Sequence, residues 1–147
     1  MNLTAPAING TLHFTNGKLI LGFALFVNNI TGFNSDRFIV IPSGDNGSML
    51  GQTIASGQSK IFPIGNAETS YTPVILSHAS NTSANCRLKV FNGTGPFTGS
   101  NAANYVNKRY RFLGADNIDY SFTFFWNTAD ENSSFNRNAC GIATGSH

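Results

Sequence analysis

The chain has 147 residues, 41% of them hydrophobic and 11% charged, with nine Lys and Arg against seven Asp and Glu for a formal net charge of +2. A folded chain of this length buries roughly 70% of its unfolded surface, so a substantial core is expected, and the low charge together with 13 Phe argues against intrinsic disorder. The weak charge gives no ground for a nucleic-acid partner, and no apolar run approaches the roughly 20 residues that span a bilayer.

The opening residues, Met1-Asn-Leu-Thr-Ala-Pro6, lack the charged and apolar regions of a secretory signal, so an exported protein is expected to carry this chain as a mature portion or fragment. From Gly10 to about Leu50 a short apolar burst is followed each time by a turn signal. Leu12 and Phe14 precede Asn16-Gly17, Leu19 and Leu21 precede Gly22, and Leu25 and Val27 precede Asn28-Asn29. Arg37-Phe-Ile-Val-Ile41 is then closed by Pro42-Ser-Gly-Asp-Asn-Gly47. This is a strand-and-turn pattern, and rungs so short must stack on neighbours, as in a β-solenoid, to bury their apolar faces. An Asn-Gly hairpin from Phe14 to Leu19 is the competing local reading. Fifteen Gly and abundant Asn, Ser and Thr supply turns, helix formers are sparse, and no helical period is present.

The composition shifts near residue 60, where Pro63 and Pro73 bracket a connection with a turn at Gly65-Asn66. This predicts solenoid-like rungs over 1–58 and a second unit over 59–147. In that unit strands are expected at 72–77, 86–91, 107–113 and 120–126, with a short one near 139–143. A Gly- and Ser-rich loop over 92–103 separates the second from the third. Spaced strands of this kind predict an antiparallel sandwich. Alternation places Lys108, Tyr110 and Phe112 on one face and Arg109 and Arg111 on the other, which reads the basic cluster as a solvated face. Tyr120, Phe122, Phe124 and Trp126 share the most aromatic face and are expected in the core, opposite Phe125.

The chemistry-bearing residues are few. His13, His78 and His147 stand apart and no serine sits in a Gly-x-Ser-x-Gly elbow, so no catalytic residue is assigned. Asp130 and Glu131 are adjacent and expected to diverge, and Asp116 and Asp119 match no calcium loop; no metal or cofactor is assigned. Tyr71, Phe97, Tyr105 and Phe125 are the aromatics that could face a ligand such as a glycan. Cys86 and Cys140 allow one disulfide, with a loop-closure value of roughly 4 kcal/mol, or two buried free thiols; the sequence does not choose. The seven Asn-x-Ser/Thr triplets, from Asn2 to Asn132, fit an exposed polar surface.

The series Gly10-Thr-Leu-His-Phe-Thr-Asn-Gly-Lys-Leu-Ile-Leu-Gly22, Ile30-Thr-Gly-Phe33, Phe62-Pro-Ile-Gly65, Ser70-Tyr-Thr-Pro-Val74, Val106-Asn-Lys-Arg-Tyr110 and Trp126-Asn-Thr-Ala-Asp-Glu131 resembles exported surface proteins of Bacteroidetes. In these, solenoid-like repeats lead into an immunoglobulin-like sandwich, often followed by a sorting domain for type IX secretion. One departure is Asn107-Lys-Arg-Tyr110, where Asn-Arg-x-Trp is usual. The resemblance implies an all-β, secreted or cell-surface segment with a structural or adhesive role and no catalysis. Its partners would be other domains of the same protein, cell-surface components or glycans. A carbohydrate-binding module and an accessory domain of a secreted hydrolase are the alternatives. An immunoglobulin-like sandwich left incomplete at Thr144-Gly-Ser-His147 is further expected to self-associate through an unpaired sheet edge.

Overall fold

Short alternating runs with Gly and Asn between them fold into short strands, and the chain is all-β. The structure is a computed structural model that describes residues 6–44, 47–93 and 104–142. In the first part of the chain β1 (Ala7–His13), β3 (Leu25–Thr31) and β5 (Leu50–Ile54) lie side by side in parallel. So do β2 (Leu19–Ile20), β4 (Ile39–Val40) and β7 (Ile64–Ala67). Register stacks like on like: Leu12 stands beside Ile30, and Leu19, Ile39 and Ile64 form one apolar row. On the outer side polar residues repeat the pattern. His13 Nδ1 meets Thr31 Oγ1 at 2.9 Å, Asn29 Nδ2 donates to Thr11 Oγ1, and Asn28 Nδ2 donates to the Asn9 carbonyl.

Asn16-Gly17 does not close a hairpin. Phe14 N donates to Thr31 O at 2.9 Å and Leu19 N to Phe38 O at 3.0 Å, so each bonds to the next turn of the chain instead of to the other. Each passage is too short to cover its own apolar side, and pairing with a later passage does so.

The later strands extend this framework. β10 (Ala84–Asn92) runs antiparallel between β5 and β11 (Lys108–Leu113), giving a five-stranded sheet in the order β1-β3-β5-β10-β11. β6 (Ser59–Phe62), β9 (Val74–His78) and β12 (Tyr120–Phe124) form an antiparallel sheet in the order β12-β9-β6, and β8 (Ser70–Tyr71) pairs with β7. Strand pairing therefore continues from β5 to β10, across the expected change near residue 58. One buried cluster joins Leu25, Val27 and Ile39 to Phe62, Leu76 and Leu88. Full burial of such side chains contributes about 1.5–3 kcal/mol each.

The stretch expected as a connection is strand. Pro63 sits between β6 and β7, where its missing N–H breaks no ladder, and its carbonyl accepts from Ile39 N at 2.9 Å. Gly65 belongs to β7 and makes no turn; a Cβ there would lie 1.9 Å from the Ser70 carbonyl oxygen, so its bare backbone is what lets β8 approach. β9 begins at Val74 and β12 ends at Phe124; Phe125 N still donates to the Pro73 carbonyl at 3.1 Å, and Trp126 lies beyond the paired strands. The strand expected near 139–143 is absent among the described residues. A 3-10 turn over Arg137–Ala139 stands there, with the Asn136 side chain accepting from Asn138 N at 3.0 Å. A second 3-10 turn covers Thr128–Asp130. Of the loop over 92–103, residues 94–103 lie outside the described residues. No helix among the described residues is long and apolar enough to cross a membrane.

Candidate functional site

The alternation on β11 and β12 is as expected: Tyr110, Phe112, Tyr120, Phe122 and Phe124 pack against the buried cluster. Their rings touch in a chain, with Phe112 at 4.8 Å from Tyr120 and 5.0 Å from Phe122, and Tyr110 at 4.6 Å from Phe124. Burial pushes the Tyr110 phenol up, so it stays an O–H and donates to the Phe125 carbonyl at 3.0 Å. Lys108 shares that inward face, and its side chain is only 2% exposed. Its ammonium meets Asp130 Oδ1 at 3.0 Å, Asn66 Oδ1 at 3.0 Å and Asn92 Oδ1 at 2.6 Å, one acceptor for each proton.

Trp126 is half-buried, outside the main cluster, and not the core residue expected of its place in the pattern. Past the end of β12 it folds onto the following turn. Its Nε1 donates to Glu131 Oε1 at 2.8 Å and its ring meets Phe135 edge-on at 6.0 Å. Arg137 Nε donates to the same carboxylate oxygen at 2.7 Å. These bonds, from Trp126 first and Arg137 second, hold the Glu131 carboxyl below its usual range. A small cleft of about 190 Å³ opens between Phe124, Phe125, Trp126 and Arg137.

Of the aromatics singled out in the sequence, Phe125 is the one clearly displayed, 45% exposed at that cleft. Tyr71 is half-buried against Phe38, ring centroids 5.1 Å apart. Tyr105 is half-buried beside the turn, its carbonyl accepting from Asn132 N at 3.1 Å. Phe97 lies outside the described residues. Tyr71 and Tyr105 are thus anchored within the fold.

A second and larger concavity lies on the outer face of the five-stranded sheet, where sequence reasoning placed none. Register sets a transverse row: Ala7 stands beside Phe26, Phe26 beside Gly51, Gly51 beside Arg87, and Arg87 beside Leu113. Their neighbours Leu25, Leu50 and Leu88 face the core, so this row faces out. A Cβ on Gly51 would come within 2.7 Å of the Phe26 ring, which therefore lies over bare backbone. The Arg87 guanidinium stands 5.0 Å from that ring's centroid. The groove measures about 360 Å³ and is lined by Ala7, Phe26, Asn85, Arg87, Leu113 and Gly114. Along the same face Arg109 stands 4.9 Å from the Phe91 centroid. Neither Arg87 nor Arg109 has a hydrogen-bond acceptor or a carboxylate partner among the described residues. The five strands contain no Asp or Glu. The available signal was Phe26 itself, a large aromatic between the two inward residues Leu25 and Val27.

His13 and His78 do not converge, and His147 lies outside the described residues. His13 is exposed on β1, and His78 is buried on β9 with Nε2 3.0 Å from the Ile54 carbonyl. Asp130 and Glu131 diverge, one to Lys108 and the other to Trp126 and Arg137. The structure does not make the Cys86–Cys140 bridge: Cys86 is buried on β10, where burial pushes its thiol up, and Cys140 is exposed after the last 3-10 turn. The second sequence reading, two buried thiols, holds for Cys86 alone. Alkylation of the folded protein is expected to modify Cys140 at once and Cys86 only after denaturant is added. Mass analysis reads both sites, and a cross-link between them or equal rates would contradict the packing of β10. Comparison with protein-family models, with curated proteins and with solved structures finds no match for this chain.

Proposed function

We propose that the chain is a structural and adhesive segment of an exported bacterial cell-surface protein, without catalysis of its own. In this reading solenoid-like rungs lead into an immunoglobulin-like sandwich of the kind found in type IX secretion substrates of Bacteroidetes. The observation that carries it is the parallel stacking of successive passages in two sheets at once. Ala7 pairs with Phe26 and Leu19 with Ile39, separations of 19 and 20 residues, and Ile39 then pairs with Ile64 at 25. Stacked rungs give an extended, rigid body whose faces display side chains, which suits a spacer or adhesive surface better than a deep reaction pocket. The test is antibody labelling of the organism that encodes the chain. Labelling of intact cells, removed by external protease, is expected; labelling only after lysis would refute the proposal. A carbohydrate-binding module is the second reading, favoured by the aromatic and amide lining of the outer groove.

A further inference from the structure

We propose that the groove on the outer face of the five-stranded sheet binds an acidic oligosaccharide, its carboxylates pairing with Arg87 and Arg109. The inference deepens the adhesive reading and rests on it for the setting in which such a glycan is met. Arg87 is half-buried, is held against Phe26, and has no acceptor among the described residues, so its planar fork of N–H donors is oriented and available. Asn85 adds an amide that both donates and accepts, while Phe26 and the 43%-exposed Leu113 offer the apolar surface against which sugar C–H faces stack.

The spacing fits a chain more than a single acid. Arg87 and Phe91 are four residues apart on β10, about 13 Å at the strand rise, and Arg109 pairs beside Phe91. Two ring-backed guanidinium groups therefore lie on one side of the sheet; between them the buried Lys89 donates to the Gly44 carbonyl and stands 4.9 Å from the Phe91 centroid, and no carboxylate lies in any of the five strands. A peptide that adds as a strand is disfavoured because Phe26, Gly51 and Arg87, at the centre of the groove, stand on β3, β5 and β10, each paired on both sides, and only the outer strands β1 and β11 carry a free edge. A lipid surface is disfavoured because the cation sits within a groove and does not reach out on a flexible stem.

The test titrates the 147-residue chain with oligogalacturonate, with its methyl ester and with a neutral glucan, by calorimetry at low and high salt. Binding of the acid form that weakens with salt is expected, with at least about a tenfold loss for the ester and for Arg87→Gln and a smaller loss for Arg109→Gln. Arg137→Gln, at the separate Phe125 cleft, should bind as the unmodified chain does, and unchanged melting of Arg87→Gln shows that the fold is kept. No binding of the acid form at millimolar concentration, equal binding of the ester, or undiminished binding by Arg87→Gln would overturn the proposal. So would capture of anionic phospholipid vesicles or polyglutamate in preference to the sugar. Failure here leaves cell-surface labelling intact, whereas failure of that labelling with binding retained removes only the cellular setting.

Discussion

Replacing Phe62 by alanine is expected to destabilise the protein by about 3–5 kcal/mol, the usual cost of deleting a buried ring, and to lower Tm by on the order of 10 °C. Phe62 ends β6 opposite Val74, is 0% exposed, and lies in the cluster shared by the parallel passages and the antiparallel sheet. The cavity would thus open where the two parts of the chain meet. Its neighbour Ile61 is 39% exposed on the other side of the same strand, so Ile61→Ala should change stability by no more than about 0.5–1 kcal/mol. Thermal unfolding followed by circular dichroism separates the two. Equal losses would mean that the facing of β6 is wrong.

β6 also shows what the sequence conceals. The all-β class was legible because short alternation and turn residues are local signals, and on β11 and β12 the same signals gave the correct inward set, Tyr110, Phe112, Tyr120, Phe122 and Phe124. Where two prolines and a Gly-Asn pair fall close together, local signals read as a connection. Tertiary pairing decides otherwise: Pro63 offers its carbonyl to β4, and Gly65 is needed for β8 to approach. Asn16-Gly17 is similar, since a hairpin and a stacked passage share the same turn chemistry and only the later partner strand distinguishes them.

The candidate site was less legible than the fold for a related reason. Phe125 could be found because it breaks an aromatic alternation within one strand. The outer groove depends on Phe26, Gly51 and Arg87 standing in one row, and these come from three strands whose order and register no local pattern encodes. Arg109 was visible in the sequence only as part of a basic face, which alternation explains without a ligand. Its stacking on Phe91, like the stacking of Arg87 on Phe26, appears once β10 and β11 are paired.

Lys108→Met is expected to cost about 3 kcal/mol, because it removes one member of a buried ion pair while leaving the other in place. Methionine keeps the unbranched stem, so the loss falls on the charge and its hydrogen bonds. Asp130 Oδ1 and the side-chain oxygens of Asn66 and Asn92 would all lose the donor they share. Asp130 is 16% exposed and its Oδ2 still accepts from Asn127 N at 3.2 Å, which places the cost at the lower end of the range for buried pairs. Asp130→Asn should also destabilise, since it leaves a buried ammonium with amide oxygens alone. The double variant should then be more stable than the sum of the two single losses predicts, by about 1–2 kcal/mol, because it leaves neither charge unpaired. Denaturant unfolding of the four proteins gives this coupling directly. A Lys108→Met protein within about 0.5 kcal/mol of the unmodified chain, or strict additivity in the cycle, would show that the turn bearing Asp130 is not held to β11 by this pair.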